Sequence, residues 1–339
     1  MRDLGVRRKV AVVGTTTWGT TLGILLARNN IPVTVLARSA DEARELDSRR
    51  EHRRFLPSVP FPQALSVSAD LPETIGGAQL VIIAVPSHRF RQNVQWIKKH
   101  LAPDTWVLSA TKGLELSSSL RMSQVLEEEL PSHLHPGICV LSGPNLAKEI
   151  VQGKPASTAI AAHDPNTLVA VQQILISPLF RVYTSDDVVG VELGGSLKNI
   201  IALGAGFADG LETGDNTKAA FITRGVAEIT RLGVAAGAQP LTFAGLAGLG
   251  DIVATCASRL SRNRYVGEQL ARGKTWPEIR QSMDNVAEGV NTTEAALQMA
   301  AQLVVEMPIT RVTHRVLFEG LPPHLAIKEL MERPPRSEW

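Results

Sequence analysis

Cysteine is scarce in this chain. Two occur among 339 residues, Cys139 and Cys256, and they form no spacing pattern. No disulfide framework is implied, which fits a reducing cytosol. Long apolar runs are missing too: no stretch approaches the roughly 18 apolar residues of a membrane span. The basic residues Arg2, Arg7, Arg8 and Lys9 precede an apolar run far shorter than that of a signal peptide. Charge of one sign is not in excess; the net charge of +2 argues against a dedicated nucleic-acid surface. His133 and His135 sit beside prolines with no acid or cysteine nearby, so no metal site is read. The expectation is a soluble, cytoplasmic protein with no nucleic-acid partner and no membrane insertion. What the chain does have is length for about two domains and 44% hydrophobic residues, enough for a sizeable core.

Up to about residue 190, short β-rich runs alternate with helical segments. The runs are 10–13, 33–36, 80–84, 106–110 and 138–141, with two later ones at 158–161 and 180–183 that read as added edge strands. This alternation predicts a parallel sheet wound with helices on both faces. After Glu192 the texture becomes helical. Pro277, Pro308 and Pro323 suit first-turn positions, and Asn291, Thr292 and Glu294 resemble a helix start. The expected fold is an α/β, Rossmann-type, doubly wound domain over residues 1–190, followed by an all-α domain over 191–333 and a short polar tail.

The first run leads directly into G-T-T-T-W-G. The dinucleotide fingerprint for a strand–turn–helix is G-x-G-x-x-G. Here it is Gly14, Thr16 and Gly19, so the middle glycine is missing. Gly14 still makes the turn, Gly19 still lets helix pack on strand, and the helix N-terminus still offers N–H groups to an anion. A plain βα turn is the alternative. After the second run, where enzymes preferring NAD place an acid on the ribose 2′-hydroxyl, stands Arg38. Arginine cannot accept from that hydroxyl but can grip a 2′-phosphate in bidentate fashion. NADP(H) is therefore the expected cofactor, with NAD(H) as the alternative; a solvated strand end is the other reading of Arg38. The E-H-R-R-F stretch from Glu51 reads as a solvated loop rather than a phosphate site.

In folds of this kind ligands lie beyond the carboxyl ends of the strands. Lys112 follows one such end. Gly143 and Asn145 follow another, though Gly, Pro and Asn also make ordinary turns. Lys198 lies off the apolar stripe of its helix, with the small residues Gly194 and Ala202 one turn away on either side. That would leave room for a ligand to reach it; a surface lysine is the alternative. Asp251 follows a glycine-dense stretch and would open a helix, where an N-cap role is the alternative. Ser261, Arg262, Asn263 and Arg264 combine hydroxyl, guanidinium and amide groups, a good phosphate-binding set or a helix-capping loop.

Taken together, G-T-T-T-W-G-T-T-L, F-L-P-S-V-P-F-P, V-P-S-H, A-T-K-G-L-E, S-G-P-N-L-A-K-E, G-V-E-L-G-G-S-L-K-N, I-T-R-G, G-L-A-G-L-G-D, S-R-N-R and V-A-E-G-V-N-T resemble, in order, the bacterial-type NAD(P)-dependent glycerol-3-phosphate dehydrogenases. The resemblance spans nearly the whole chain. It implies reversible reduction of dihydroxyacetone phosphate to sn-glycerol 3-phosphate, the backbone of glycerophospholipids. By that resemblance Lys198 is the catalytic lysine. Lys112, Gly143, Asn145, Asp251, Ser261, Arg262 and Asn263 correspond to substrate contacts. Gly14 aside, the implied cofactor contacts are Thr17, Trp18, Arg38, Lys112, Ala147, Arg262, Val286 and Glu288. A homodimer is left open. The departure at Thr16 places a Cβ and a hydroxyl where they could crowd the pyrophosphate or bond to it.

Overall fold

The computed structural model describes residues 9–283, 287–335 and 337. The chain divides into two compact units. One comprises residues 1–112 and 120–192, the other 113–119 and 193–339.

The first unit is built on eight strands: β1 (Val10–Val13), β2 (Val33–Leu36), β3 (Leu65–Ser68), β4 (Leu80–Ile83), β5 (Trp106–Ser109), β6 (Ile138–Ser142), β7 (Ala156–Ala161) and β8 (Phe180–Ser185). Their order is β3-β2-β1-β4-β5-β6-β7-β8. Strands β1 to β6 pair in parallel, β7 runs antiparallel to β6, and β8 is parallel to β7. Strands β1 and β4 at the centre are unbroken apolar runs because both faces are covered. Along β1, Val10 and Val12 face one core cluster while Ala11 and Val13 face the other. Strand β3 escaped the sequence reading. It reads L-S-V-S, half polar, because it lies at the sheet edge with one face exposed. Of the two late runs expected at edges, β8 is one, whereas β7 is flanked on both sides.

In the second unit every strand-free stretch beyond residue 193 is helix, turn or loop among the described residues. Pro277, Pro308 and Pro323 stand in helical first turns, where a missing N–H costs nothing. The expected helix start at 291–294 is corrected. That helix is Glu288–Gln302, and Thr292 and Thr293 lie inside it, their hydroxyls donating back to the carbonyls of Glu288 and Gly289. The helix Val188–Gly210 is buried almost all round rather than along one stripe. By length and composition it, like the stretch Pro240–Ala257, could cross a membrane, against the expectation of no such run; 89% of its apolar window is buried in the fold. It crosses helix Arg262–Ala271 at very short range. A Cβ on Gly267 would stand 1.9 Å from the Leu203 carbonyl oxygen, and one on Gly206 would stand 2.1 Å from that of Arg264.

Candidate active site

In the first unit the phosphate loop keeps both outer glycines for steric reasons. A Cβ on Gly14 would meet the Ala84 carbonyl oxygen at 2.8 Å, and one on Gly19 would meet the Gly14 carbonyl oxygen at 2.2 Å. Gly14 also has φ +112°, outside the ordinary range of L side chains. The middle position needs no glycine. Thr16 has φ −70° and is the N-cap of helix Thr17–Arg28. Its hydroxyl accepts from the Gly19 N–H at 3.0 Å and donates to the Ala84 carbonyl at 2.7 Å. That hydroxyl is thus engaged by protein on both sides, donating to one backbone group and accepting from another.

Thr17 and Trp18 occupy the first two helical positions, whose N–H groups have no intrahelical acceptor. The Trp18 indole N–H is buried without a hydrogen-bond partner among the described residues. An anion-receptive helix end beside an unsatisfied donor fits a dinucleotide. Arg38 follows β2, is exposed, and its guanidinium has no ion-pair partner among the described residues, as a 2′-phosphate grip requires. The segment from Glu51 is not simply a solvated loop. Arg53 and Arg54 are exposed, but His52 is buried, with Nε2 donating to the Thr15 carbonyl at 2.9 Å.

Two expected substrate contacts of this unit meet directly: Lys112 Nζ donates to the Gly143 carbonyl at 2.7 Å. Gly143 has φ +150°, and a Cβ there would press on Thr158 Cα at 3.0 Å. Asn145 donates through Nδ2 to Thr158 Oγ1 at 3.0 Å, and its Oδ1 is buried without a partner among the described residues. Ala147 begins the short helix Ala147–Val151.

In the second unit Lys198 is no surface lysine; it is 7% exposed, and Asp251 is 2% exposed. Nζ donates to Asp251 Oδ1 at 3.0 Å and to Thr255 Oγ1 at 2.5 Å, and Thr255 donates to Asp251 Oδ1 at 3.2 Å. A buried ammonium and carboxylate are tolerable only when paired and hydrogen-bonded in this way. Asp251 opens helix Asp251–Ala257 but does not cap it, because a π-helical turn, Leu246–Gly250, runs straight into it. Such wide turns re-aim the residues that follow. Gly194 explains how they come so close. A Cβ there would meet the Ala247 carbonyl oxygen at 2.8 Å, so its smallness admits the π turn rather than a ligand.

The S-R-N-R set divides its labour. Ser261 caps helix Arg262–Ala271, accepting from the Arg264 N–H. Asn263 is buried, donating to Asn199 Oδ1 at 2.8 Å and accepting from the Gly289 N–H at 3.0 Å. Arg264 pairs with Asp209 at 2.5 Å. Arg262, at the first helical position, keeps an exposed surface, yet protein packed around its guanidinium lowers its pKa, and the Glu288 carboxylate nearby pulls the other way. Two expected cofactor contacts thus lie together. Val286 lies outside the described residues.

Sequence reasoning missed Thr255, although it stands one helical turn after Asp251 on the same face. It also missed Glu42, whose Oε1 accepts from the Thr15 hydroxyl at 2.6 Å. The signal for Glu42 was the S-x-x-E pattern from Ser39, a helix-start signature.

Residues 9–168 match the family described as NAD-dependent glycerol-3-phosphate dehydrogenase N-terminus, and residues 187–328 match its C-terminus counterpart. A protein from Dehalococcoides mccartyi named glycerol-3-phosphate dehydrogenase (NAD(P)+) is 49% identical over 324 residues, covering 95% of this chain and 90% of its own. One of the same name from Desulfitobacterium hafniense is 46% identical, covering 97% and 93%. The crystal structure of glycerol-3-phosphate dehydrogenase from Coxiella burnetii superposes with a TM-score of 0.91 at 36% identity, over 96% of this chain and 99% of that one.

Proposed function

The chain belongs to the NAD-dependent glycerol-3-phosphate dehydrogenase family, and from that premise we propose that Lys198 is the acid that makes its reduction of dihydroxyacetone phosphate possible. The protein is an NAD(P)-dependent oxidoreductase that reversibly forms sn-glycerol 3-phosphate, the glycerophospholipid backbone. The bound nicotinamide supplies the hydride. As the carbonyl carbon is reduced, negative charge grows on its oxygen. The Lys198 ammonium stabilises that charge and delivers the proton, a role that burial strengthens by lowering the local dielectric. Asp251 and Thr255 hold the lysine in one orientation. Asp251 carries the compensating charge that lets an ammonium persist in a buried place.

The remaining assignments belong to the same reading. Gly14, Thr17, Trp18, Arg38 and Ala147 serve the cofactor from the sheet-based unit, with Arg38 favouring NADP(H). Arg262, Val286 and Glu288 are assigned to the cofactor by the same reading. Lys112, Gly143, Asn145, Asp251, Ser261 and Asn263 serve the substrate, and Arg262 at an exposed helix start suits its phosphate. Residues 1–190 act as the cofactor domain and 191–333 as the catalytic domain. The protein works in the cytoplasm, without membrane insertion, as a homodimer, for which the exposed Leu241, Leu249 and Val253 offer an apolar surface; light scattering of the purified protein tests the dimer.

The observation that carries this reading is the buried Lys198–Asp251–Thr255 cluster. Loss of NADPH absorbance with dihydroxyacetone phosphate measures the reaction. Lys198→Ala should lose about 10²–10⁴-fold in kcat while NADPH binds as tightly as before. Near-normal turnover in that variant overturns the assignment.

A further inference from the structure

One carboxylate ties the phosphate loop to the end of β2. Glu42 Oε1 accepts from the Thr15 hydroxyl at 2.6 Å, and Oε2 accepts from the Arg38 backbone N–H at 3.2 Å. Thr15 is held from its other side by His52, which donates to its carbonyl at 2.9 Å. Glu42 is the third residue of helix Ala40–Arg49, and Ser39 caps that helix by accepting from the Glu42 N–H. In an ordinary capping box the glutamate would fold back onto the cap residue's own N–H. This one reaches one residue further, to Arg38, and across to the loop.

That place has a chemical meaning. In doubly wound folds the adenosine ribose lies at the end of the second strand, and an acid there accepts from its 2′-hydroxyl. A carboxylate beside Arg38 therefore works against it. Arg38 attracts a 2′-phosphate; Glu42 repels one and can accept from a bare 2′-hydroxyl. We infer that Glu42 is a specificity-determining residue that holds down the preference for the 2′-phosphorylated cofactor and so keeps NADH usable beside NADPH. This rests on the reading of Arg38 as the 2′-phosphate grip. A purely structural brace would affect both cofactors alike, since both carry the same pyrophosphate.

Steady-state kcat/KM for NADPH and NADH, measured side by side, separates the two. Glu42→Gln keeps the size and an acceptor oxygen but removes the charge. It should raise the NADPH-to-NADH ratio about fivefold, the effect of one nearby charge in a watery setting, and the rise should shrink at high salt. Glu42→Asp keeps the charge but shortens the reach; it should weaken both cofactors together and leave the ratio within twofold. Arg38→Ala, run in parallel, should lower the ratio at least tenfold. If Arg38→Ala behaves so while Glu42→Gln leaves the ratio unchanged, the inference on Glu42 fails and the reading of Arg38 stands. If Arg38→Ala leaves the ratio unchanged, that reading fails, and a ratio unmoved by Glu42→Gln then sinks both. Should Glu42→Gln not fold, Glu42→Ala is read by the same ratio.

Discussion

Two glycines, one in each unit, serve the same steric device at very different range. Gly19 lets helix Thr17–Arg28 rest on the loop because a Cβ would lie 2.2 Å from the carbonyl oxygen of Gly14, five residues earlier. Gly194 lets the π turn before Asp251 rest on helix Val188–Gly210 because a Cβ would lie 2.8 Å from the carbonyl oxygen of Ala247, far along the chain. The first contact closes within one strand–turn–helix, so its pattern can be recognised in a line of text. The second exists only after helices from separate stretches have packed. On the proposed assignments, cofactor binding is thus written locally, and the acid's surroundings are assembled by tertiary structure.

The sharpest way to break the long-range half alone is Asp251→Asn. The substitution keeps the volume but leaves the Lys198 ammonium buried without its carboxylate, and removing one partner of a buried pair costs about 3–5 kcal/mol. We expect kcat to fall about 100-fold or more and the melting temperature to drop, with NADPH affinity in a fluorescence titration unchanged. A parallel loss of NADPH affinity would mean that the two halves are not separable. The local half breaks at Gly19→Ala, which should raise the NADPH Kd at least tenfold while leaving the folded helical unit intact by circular dichroism. Gly194→Ala asks for a smaller shift. Moving the Ala247 carbonyl by a few tenths of an ångström displaces Asp251 from Lys198, and misplacements of about 1 Å cost up to about 10²-fold. A roughly tenfold loss in kcat with unchanged NADPH Kd is the expected result.

The contrast in range also explains what could be read from the residues. The central strands β1, β2, β4, β5 and β6 were legible because burial on both faces leaves them largely apolar, with single hydroxyls at Thr34, Ser109 and Ser142. Strand β3 was not, since half of L-S-V-S faces water. The place of Arg38 directly after a strand was legible; its role is part of the proposal. Lys198 stood out as a lysine among small residues, and of these Gly194 makes room for the Ala247 backbone. Thr255 and Glu42 were invisible as site residues because their partners lie in other elements. Residues 113–119 belong to the helical unit and bond to it through the Gly113 N–H to Ser196 and Ser119 to Gln298, among others, contacts that no local pattern announces.

A pH titration probes the brace behind the loop with a modest effect. Burial pushes the His52 pKa below its ordinary 6.5, while its bond to the Thr15 carbonyl and the Glu42 charge pull partly the other way and Arg54 adds to the lowering. Because the folded pKa is depressed, the native state binds the proton less readily than the unfolded chain. Stability is therefore whole above pH 6.5 and is lost as pH falls towards the folded pKa. Differential melting between pH 7.5 and 5.5 should show a larger fall for the wild type than for His52→Asn; equal falls would remove His52 from the account.

The smallest expected effect sharpens the comparison most, because it concerns a residue that breaks the local pattern. Thr16 stands where the fingerprint has glycine, and two outcomes follow from where its hydroxyl points. If it faced the pyrophosphate, Thr16→Gly would relieve crowding and tighten NADPH. In the structure it faces inward, between the Gly19 N–H and the Ala84 carbonyl, and caps the helix. Glycine then removes a cap and a hydrogen bond while changing nothing the cofactor meets. Loss of a Thr cap costs typically about 1 kcal/mol, and less when glycine replaces it. We expect Thr16→Gly to lower the melting temperature by about 1–3 °C and to leave the NADPH Kd within twofold; Thr16→Ser, which can still cap, should do neither. A fivefold tighter Kd in Thr16→Gly would show that the side chain does press on the cofactor. The loop would then owe its function to tolerance of Thr16, rather than to the substitution of one local hydrogen-bond partner for another.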